Sequence, residues 1–100
     1  MIVAIFRRRL REGATYEVFR EAWATTQRFG VPTRVLTAQR LDDPREILSI
    51  GFVDAAVEDL GSIAERSSEN ERHRHSRVDA VIDSTELRAF YVLRDEDDLL

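Results

Sequence analysis

Residues 33–53 run TRVLTAQRL-DDPR-EILSIGFV, and this stretch decides the fold. Two segments rich in β-branched and apolar residues, 33–41 and 46–53, flank Asp42-Asp43-Pro44-Arg45. Proline presets φ for the first central position of a turn, and the Asp43 side chain accepts hydrogen bonds from turn backbone. The pattern predicts a β-hairpin. Its second arm carries Leu48, Ile50 and Phe52 on one face and Ile47, Gly51 and Val53 on the other, so apolar groups stand on both sides of the strand.

Working outward, residues 16–29 form an amphipathic helix when rotated by about 100° per residue. Tyr16, Phe19, Ala22, Trp23, Thr26 and Phe29 fall on one half of the wheel, while Glu17, Arg20, Glu21, Ala24, Gln27 and Arg28 fall on the other. Thr15 supplies an N-cap, and Gly30 with Pro32 supplies the stop. Before this helix, Ile2–Leu10 (IVAIFRRRL) reads as a strand broken by Gly13. After the hairpin, Asp54 is a candidate N-cap for a helical stretch from Ala55, striped by Val57, Leu60, Ile63 and Ala64. The polar run 66–76 predicts a break near Ser67-Ser68. A further helix over 69–83 carries His75, Val78, Val81 and Ile82 on one narrow face. Residues 86–94 (ELRAFYVLR) complete the set as a strand.

The order is β-α-β-β-α-β with the second helix split. This predicts an α+β, ferredoxin-like domain over residues 1–94, with one antiparallel sheet in the order 4-1-3-2 and both helices on one face. Residues 95–100 form an acidic tail expected to fray. Helices cover one face only, yet three strands are apolar on both, so a homodimer packed sheet to sheet is expected. The topology also gathers Arg7, Arg8, Arg9 and Arg11 at one rim with Asp42, Asp43, Glu46, Asp83 and Glu86, which predicts either charge compensation there or a pocket or anion site that uses one of these arginines. Arg34, Arg40, Arg88 and Arg94 lie on strands, and any that faces inward needs a partner carboxylate or an anionic ligand.

Composition narrows the chemistry. The 100 residues contain no cysteine, and all 15 basic residues are arginine, which removes thiolate metal sites, cysteine nucleophiles and lysine Schiff bases. A net charge of −4 argues against nucleic acid as a partner. Ser49-Ile50-Gly51-Phe52-Val53 is a partial match to an RNA-recognition strand, but the flanking basic and aromatic positions are missing. No apolar run approaches a membrane span or a secretory leader, so a cytoplasmic protein is expected.

Within these limits His75 is the candidate catalytic residue, because it shares a face with Val78 and Ile82 and histidine serves as a general base near neutral pH. Trp23, Tyr16, Phe52, Tyr91 and Arg40 are the candidate substrate-binding residues, with aromatic surface and polar tips suited to an aromatic ligand. No metal is expected. His73 points about 160° away from His75 on a helix, so the two are not a chelating pair.

The Ile2–Leu10 strand, Glu12-Gly13 before an amphipathic helix, the hairpin around Pro44, Phe52-Val53-Asp54 and a His-bearing second helix together resemble the dimeric α/β barrel superfamily. Within it, they are similar to antibiotic-biosynthesis-monooxygenase-like domains, over residues 2–94. The resemblance implies homodimers whose sheets face each other, with a ligand cavity between helices and sheet in each subunit. It further implies cofactor-free monooxygenation of small aromatic or phenolic metabolites or, alternatively, a non-catalytic small-molecule-binding or stress-associated module. Haem-degrading relatives use an asparagine on the first strand, a tryptophan near mid-chain and a histidine on the second helix. Here only His75 fits that pattern, since Asn70 is the sole asparagine and Trp23 lies on the first helix. No cofactor is therefore expected.

Overall fold

A computed structural model describes residues 1–24 and 31–100. Its elements are β1 (Ile2–Leu10), α1 (Tyr16–Trp23), β2 (Thr33–Arg40), β3 (Asp43–Val53), a 3₁₀ turn (Val57–Asp59), α2 (Leu60–Asp79) and β4 (Ile82–Val92). The four strands form one antiparallel sheet in the order β2-β3-β1-β4, which is the predicted ferredoxin-like arrangement. β1 is bonded on both edges, opposite β3 with Ala4 facing Gly51 and opposite β4 with Ala4 facing Phe90.

Period-two alternation assigns the faces. Ile2, Ala4, Arg8 and Leu10 of β1 are buried beneath the helices, as is Ile47 of β3. Leu10, Phe19, Ile47, Val78 and Ile82 form a packed core at one end of the helix–sheet layer, with Tyr16 and Trp23 against it. The opposite face of the sheet has no helix. Its middle row, Leu36-Ile50-Ile5-Ala89, is apolar across all four strands, and Leu36 and Tyr91 are 48% and 50% exposed there.

Local chemistry explains the element ends. The Thr15 hydroxyl accepts from Val18 N at 3.3 Å, the expected N-cap of α1. The turn before it closes with Ala14 N donating to Arg11 O at 3.0 Å, and Gly13 takes φ +84 within it. α1 ends at Trp23 rather than running over 16–29, because Ala24 turns extended (ψ 139) and Arg77 donates to the carbonyls of Ala22 and Ala24. The expected Thr26 and Phe29 face and the Gly30 stop lie outside the described residues.

Other boundaries shift too. The hairpin turn is Leu41-Asp42, and β3 begins at Asp43. Pro44 falls where the β2–β3 register slips beyond Gln39, so its missing N–H costs no ladder bond. Asp54 does not cap a helix, since its N–H bonds Pro32 O at 2.9 Å and extends the sheet edge. β4 starts at Ile82, four residues before the expected 86, by pairing its polar start with Arg8 and Arg9 around two register shifts. β4 ends at Val92, and residues 93–100 follow without regular structure.

The predicted break near Ser67-Ser68 is absent, and α2 is continuous. The inward stripe Ile63, Glu71, Arg74, His75 and Val78 persists through the polar stretch, since Glu71 and Arg74 occupy positions that aliphatic residues would otherwise fill.

Two glycines separate backbone from packing effects. Neither Gly13 nor Gly61 has a heavy atom within 4 Å of a would-be Cβ, but only Gly13 has positive φ. Gly13→Ala should lower the unfolding free energy by about 1 kcal/mol, and Gly61→Ala should raise it by about 0.5 kcal/mol. Urea unfolding of both variants beside the parent protein checks the opposite signs.

Candidate functional site

At the end of the layer away from the core, a cavity of about 680 Å³ lies between sheet and α2, within the range of small-molecule sites. Its floor comes from two register rows. One is Val35-Gly51-Ala4-Phe90, and the next contains Ser49, Phe6 and Arg88. Ala4 and Gly51 are neighbours in mid-sheet, and a Cβ on Gly51 would meet that of Ala4 at 3.7 Å. These two small residues keep the floor low. Ile63 and His75 of α2 form the roof, and Trp23 of α1 forms a wall.

Phe6 is the hub of the site. Phe90 meets it edge-on at 6.2 Å and His75 at 6.5 Å, centroid to centroid. The guanidinium carbons of Arg8 and Arg88 lie 4.7 and 5.7 Å from its ring centre. Trp23 is flanked in the same way by Arg74 and Arg20, at 5.0 and 5.5 Å. Such cation–aromatic contacts hold the guanidiniums against flat apolar surface.

The titratable centre is on α2. Glu71 hydrogen-bonds His75 Nε2 at 3.2 Å one turn away and forms an ion pair with Arg74. Burial pushes the Glu71 carboxyl up, but the His75 hydrogen bond and the Arg74 charge outweigh it and hold the carboxyl below the ordinary glutamate range. With Glu71 ionised its oxygen is the acceptor, so Nε2 carries the proton and Nδ1 is the basic nitrogen of His75.

Of the expected site residues, the cavity brings together His75 and Trp23. Tyr16 packs against the core instead. Phe52 and Tyr91 are on the opposite face of the sheet, opposite Val3 in register. Arg40 is at the hairpin end, paired with Asp42 at 2.6 Å and Glu46 at 3.4 Å. The shared cause for Phe52 and Tyr91 is parity: both strands are apolar at odd and even positions, so hydrophobicity does not say which set meets the helices. Ser49 and Glu71 line the cavity without having been expected there, and Arg8 of the rim set and Arg88 of the strand arginines face into it. Arg8 had a signal, since it continues the inward series Ile2, Ala4, Phe6.

The rim also takes shape as expected, with Arg9–Asp43 at 2.8 Å and Arg7–Glu86 at 3.4 Å, and Arg45 adds a pair with Asp83 at 2.7 Å. Asp43, hydrogen-bonded by Arg9 and by Arg45 N–H, is held below the usual carboxylate range. Arg11 donates instead to the backbone carbonyls of Ile82 and Asp79, at 3.1 and 3.4 Å, and Arg8 turns inward. Among the described residues no group of three or more histidine, aspartate or glutamate side chains is placed to hold a metal, and no helix is long and apolar enough to cross a membrane.

No protein-family model and no curated protein matches the sequence. Solved structures do share the fold. An antibiotic biosynthesis monooxygenase-like protein from Chloroflexus aurantiacus J-10-fl superposes with TM-score 0.61 at 14% identity, covering 97% of this chain and 96% of that one. A NIPSNAP family protein from Agrobacterium tumefaciens C58 superposes with TM-score 0.62 at 18% identity, covering 99% and 98%. The chain therefore shares the ferredoxin-like α+β fold of these two proteins over nearly its whole length.

The Glu71 interactions carry a pH signature. A carboxyl lowered in the folded state contributes stability that is complete above its unfolded value, about pH 4.3, and is lost as pH falls through the folded value. Glu71→Gln should therefore reduce stability at pH 7 and make the decline below about pH 4.3 shallower by up to one proton. Urea unfolding across pH 2.5 to 7 measures both effects; parallel curves for parent and variant would contradict the assignment.

Proposed function

We propose that the protein is a homodimer with one ligand cavity per subunit, which binds a flat aromatic or phenolic metabolite and oxidises it with O₂ without a cofactor. The observation that carries this reading is the cavity itself, about 680 Å³ and walled by Phe6, Phe90 and Trp23, with the His75–Glu71 pair at its roof. The antibiotic biosynthesis monooxygenase-like neighbour supports it at the level of fold.

The chemistry asks little of the protein. In a polycyclic ketone of the anthrone type, a ring CH₂ beside the aromatic system is acidic. His75 takes its proton, and the resulting enolate gives electrons to O₂ and forms a C–O bond. The proton returns to the peroxide, the O–O bond breaks as the second ring hydrogen leaves, and water departs. The sum is CH₂ + O₂ → C=O + H₂O, with carbon oxidised and O₂ reduced. Glu71 fixes the His75 tautomer and stabilises the imidazolium formed on proton transfer. The aromatic walls offer the enolate a flat apolar surface to lie against.

A second reading is a non-catalytic binding module. The joint hold of His75 and Arg74 on Glu71 favours it, because that network also serves α2 structurally. Turnover separates the two. His75→Ala should abolish oxygen uptake with anthrone or a quinol while leaving the circular dichroism spectrum unchanged. Undiminished uptake in the variant removes His75 from the mechanism.

The dimer is supported by the uncovered sheet face, where Ile5, Leu36, Leu48, Ile50, Phe52 and Tyr91 stand together. An apolar face of this extent gains by burial against a second copy. Light scattering should give about twice the 11.6 kDa chain mass. Ile50→Asp, at the centre of the face, should give single chains. A monomeric parent protein at micromolar concentration would refute the pairing.

A further inference from the structure

Arg8 stands where the packed core gives way to the cavity. It follows Phe6 on the inner face of β1, opposite Ile47, and is only 5% exposed. Its guanidinium carbon is 4.7 Å from the Phe6 ring centre and 6.0 Å from that of Phe19. Arginine does not shed its proton in a protein, so this is a buried cation. Its Nη1 is shielded from water and has no hydrogen-bond partner, and Arg8 makes no ion pair among the described residues. Glu71 and Asp79 are near enough to favour the charge, but Arg74 and Arg88 oppose it, and Glu71 is already engaged by Arg74 and His75.

A second buried group nearby is equally without a partner. Ser49 faces Phe6 in register, is 3% exposed, and its Oγ has no hydrogen bond. Arg88 flanks Phe6 on its other side in the sheet and makes no ion pair among the described residues. Two cations and a hydroxyl thus surround one aromatic ring in the cavity, with no carboxylate of the protein committed to them. Leaving a buried cation uncompensated is costly, and native structures avoid it unless a ligand completes the site.

We propose that Arg8, Ser49 and Arg88 form a carboxylate subsite, so that the cavity takes an aromatic carboxylic acid. The ring system of the ligand lies against Phe90 and Trp23, and its carboxylate is received by the Arg8 guanidinium and the Ser49 hydroxyl once both side chains turn from their shielded positions toward the cavity. A planar carboxylate matches the guanidinium fork, and a single negative charge balances the single buried cation. The proposal rests on the cavity being a ligand site, as argued above, and adds the ligand's charge.

The test compares anthracene-9-carboxylate with the neutral 9-anthracenemethanol by fluorescence titration. The carboxylate should bind 10- to 100-fold more tightly, the range expected of charge-assisted hydrogen bonds. Arg8→Met should remove that preference while leaving the alcohol's affinity within a few-fold. It should also raise the thermal midpoint of the unliganded protein, because an unpaired buried cation is replaced by an apolar chain of similar length. Ser49→Ala, a smaller change, should weaken the carboxylate alone, and it serves if Arg8→Met does not fold. Equal binding of both probes to the parent protein overturns the subsite and leaves the cavity reading intact. Binding of neither probe overturns both. A carboxylate preference that survives in Arg8→Met and Ser49→Ala alike assigns the charge recognition elsewhere and overturns the proposal.

Discussion

The side-chain alternation of β1 is the constraint on which the rest depends. The strand is hydrogen-bonded to β3 on one edge and β4 on the other, so its register fixes both neighbours. Its even positions, Ile2, Ala4, Phe6, Arg8 and Leu10, meet the helices, while Arg7 and Arg9 pair with Glu86 and Asp43. A slip of one residue would exchange these sets, putting two rim arginines under α2 and exposing Leu10. That cost defines one register for the whole sheet, and with it the place of every group in the cavity.

The layer between sheet and helices is divided unequally. Phe19, Leu10, Ile47, Val78 and Ile82 close one end, as aliphatic and aromatic groups do when they interdigitate. Towards the other end the floor drops, because Ala4 and Gly51 are adjacent in register. Arg8 and Trp23 stand at the boundary. Trp23 touches the core and lines the cavity, and its ring carries Arg74, which in turn pairs with Glu71 and so reaches His75. Core packing and cavity chemistry are connected through this chain of contacts.

Element order was legible because it depends on local pattern. The hairpin, the Thr15 cap and the strand at the start of the chain each follow from neighbouring residues. The length of α2 was not legible, since residues 66–76 look too polar for a buried stripe. Glu71 and Arg74 keep the stripe polar because they face a cavity and each other, so the misread segment is where the candidate site lies. His75 and Trp23 could be placed from helical periodicity. Phe52 and Tyr91 could not be placed, because their strands carry apolar residues at both parities and composition alone does not name the helix-covered face.

The sequence by itself determined the order of elements, the alternation along each strand, and a chemistry limited to histidine, arginine, carboxylate and aromatic side chains. These are properties of neighbouring residues and of the residue inventory. Only the tertiary structure decided which parity lies beneath the helices, that Ala4 meets Gly51, and that Arg8 turns away from the carboxylates gathering its neighbours. Those outcomes depend on register between strands far apart in the chain, and on whether a buried group finds a partner once the whole layer has closed.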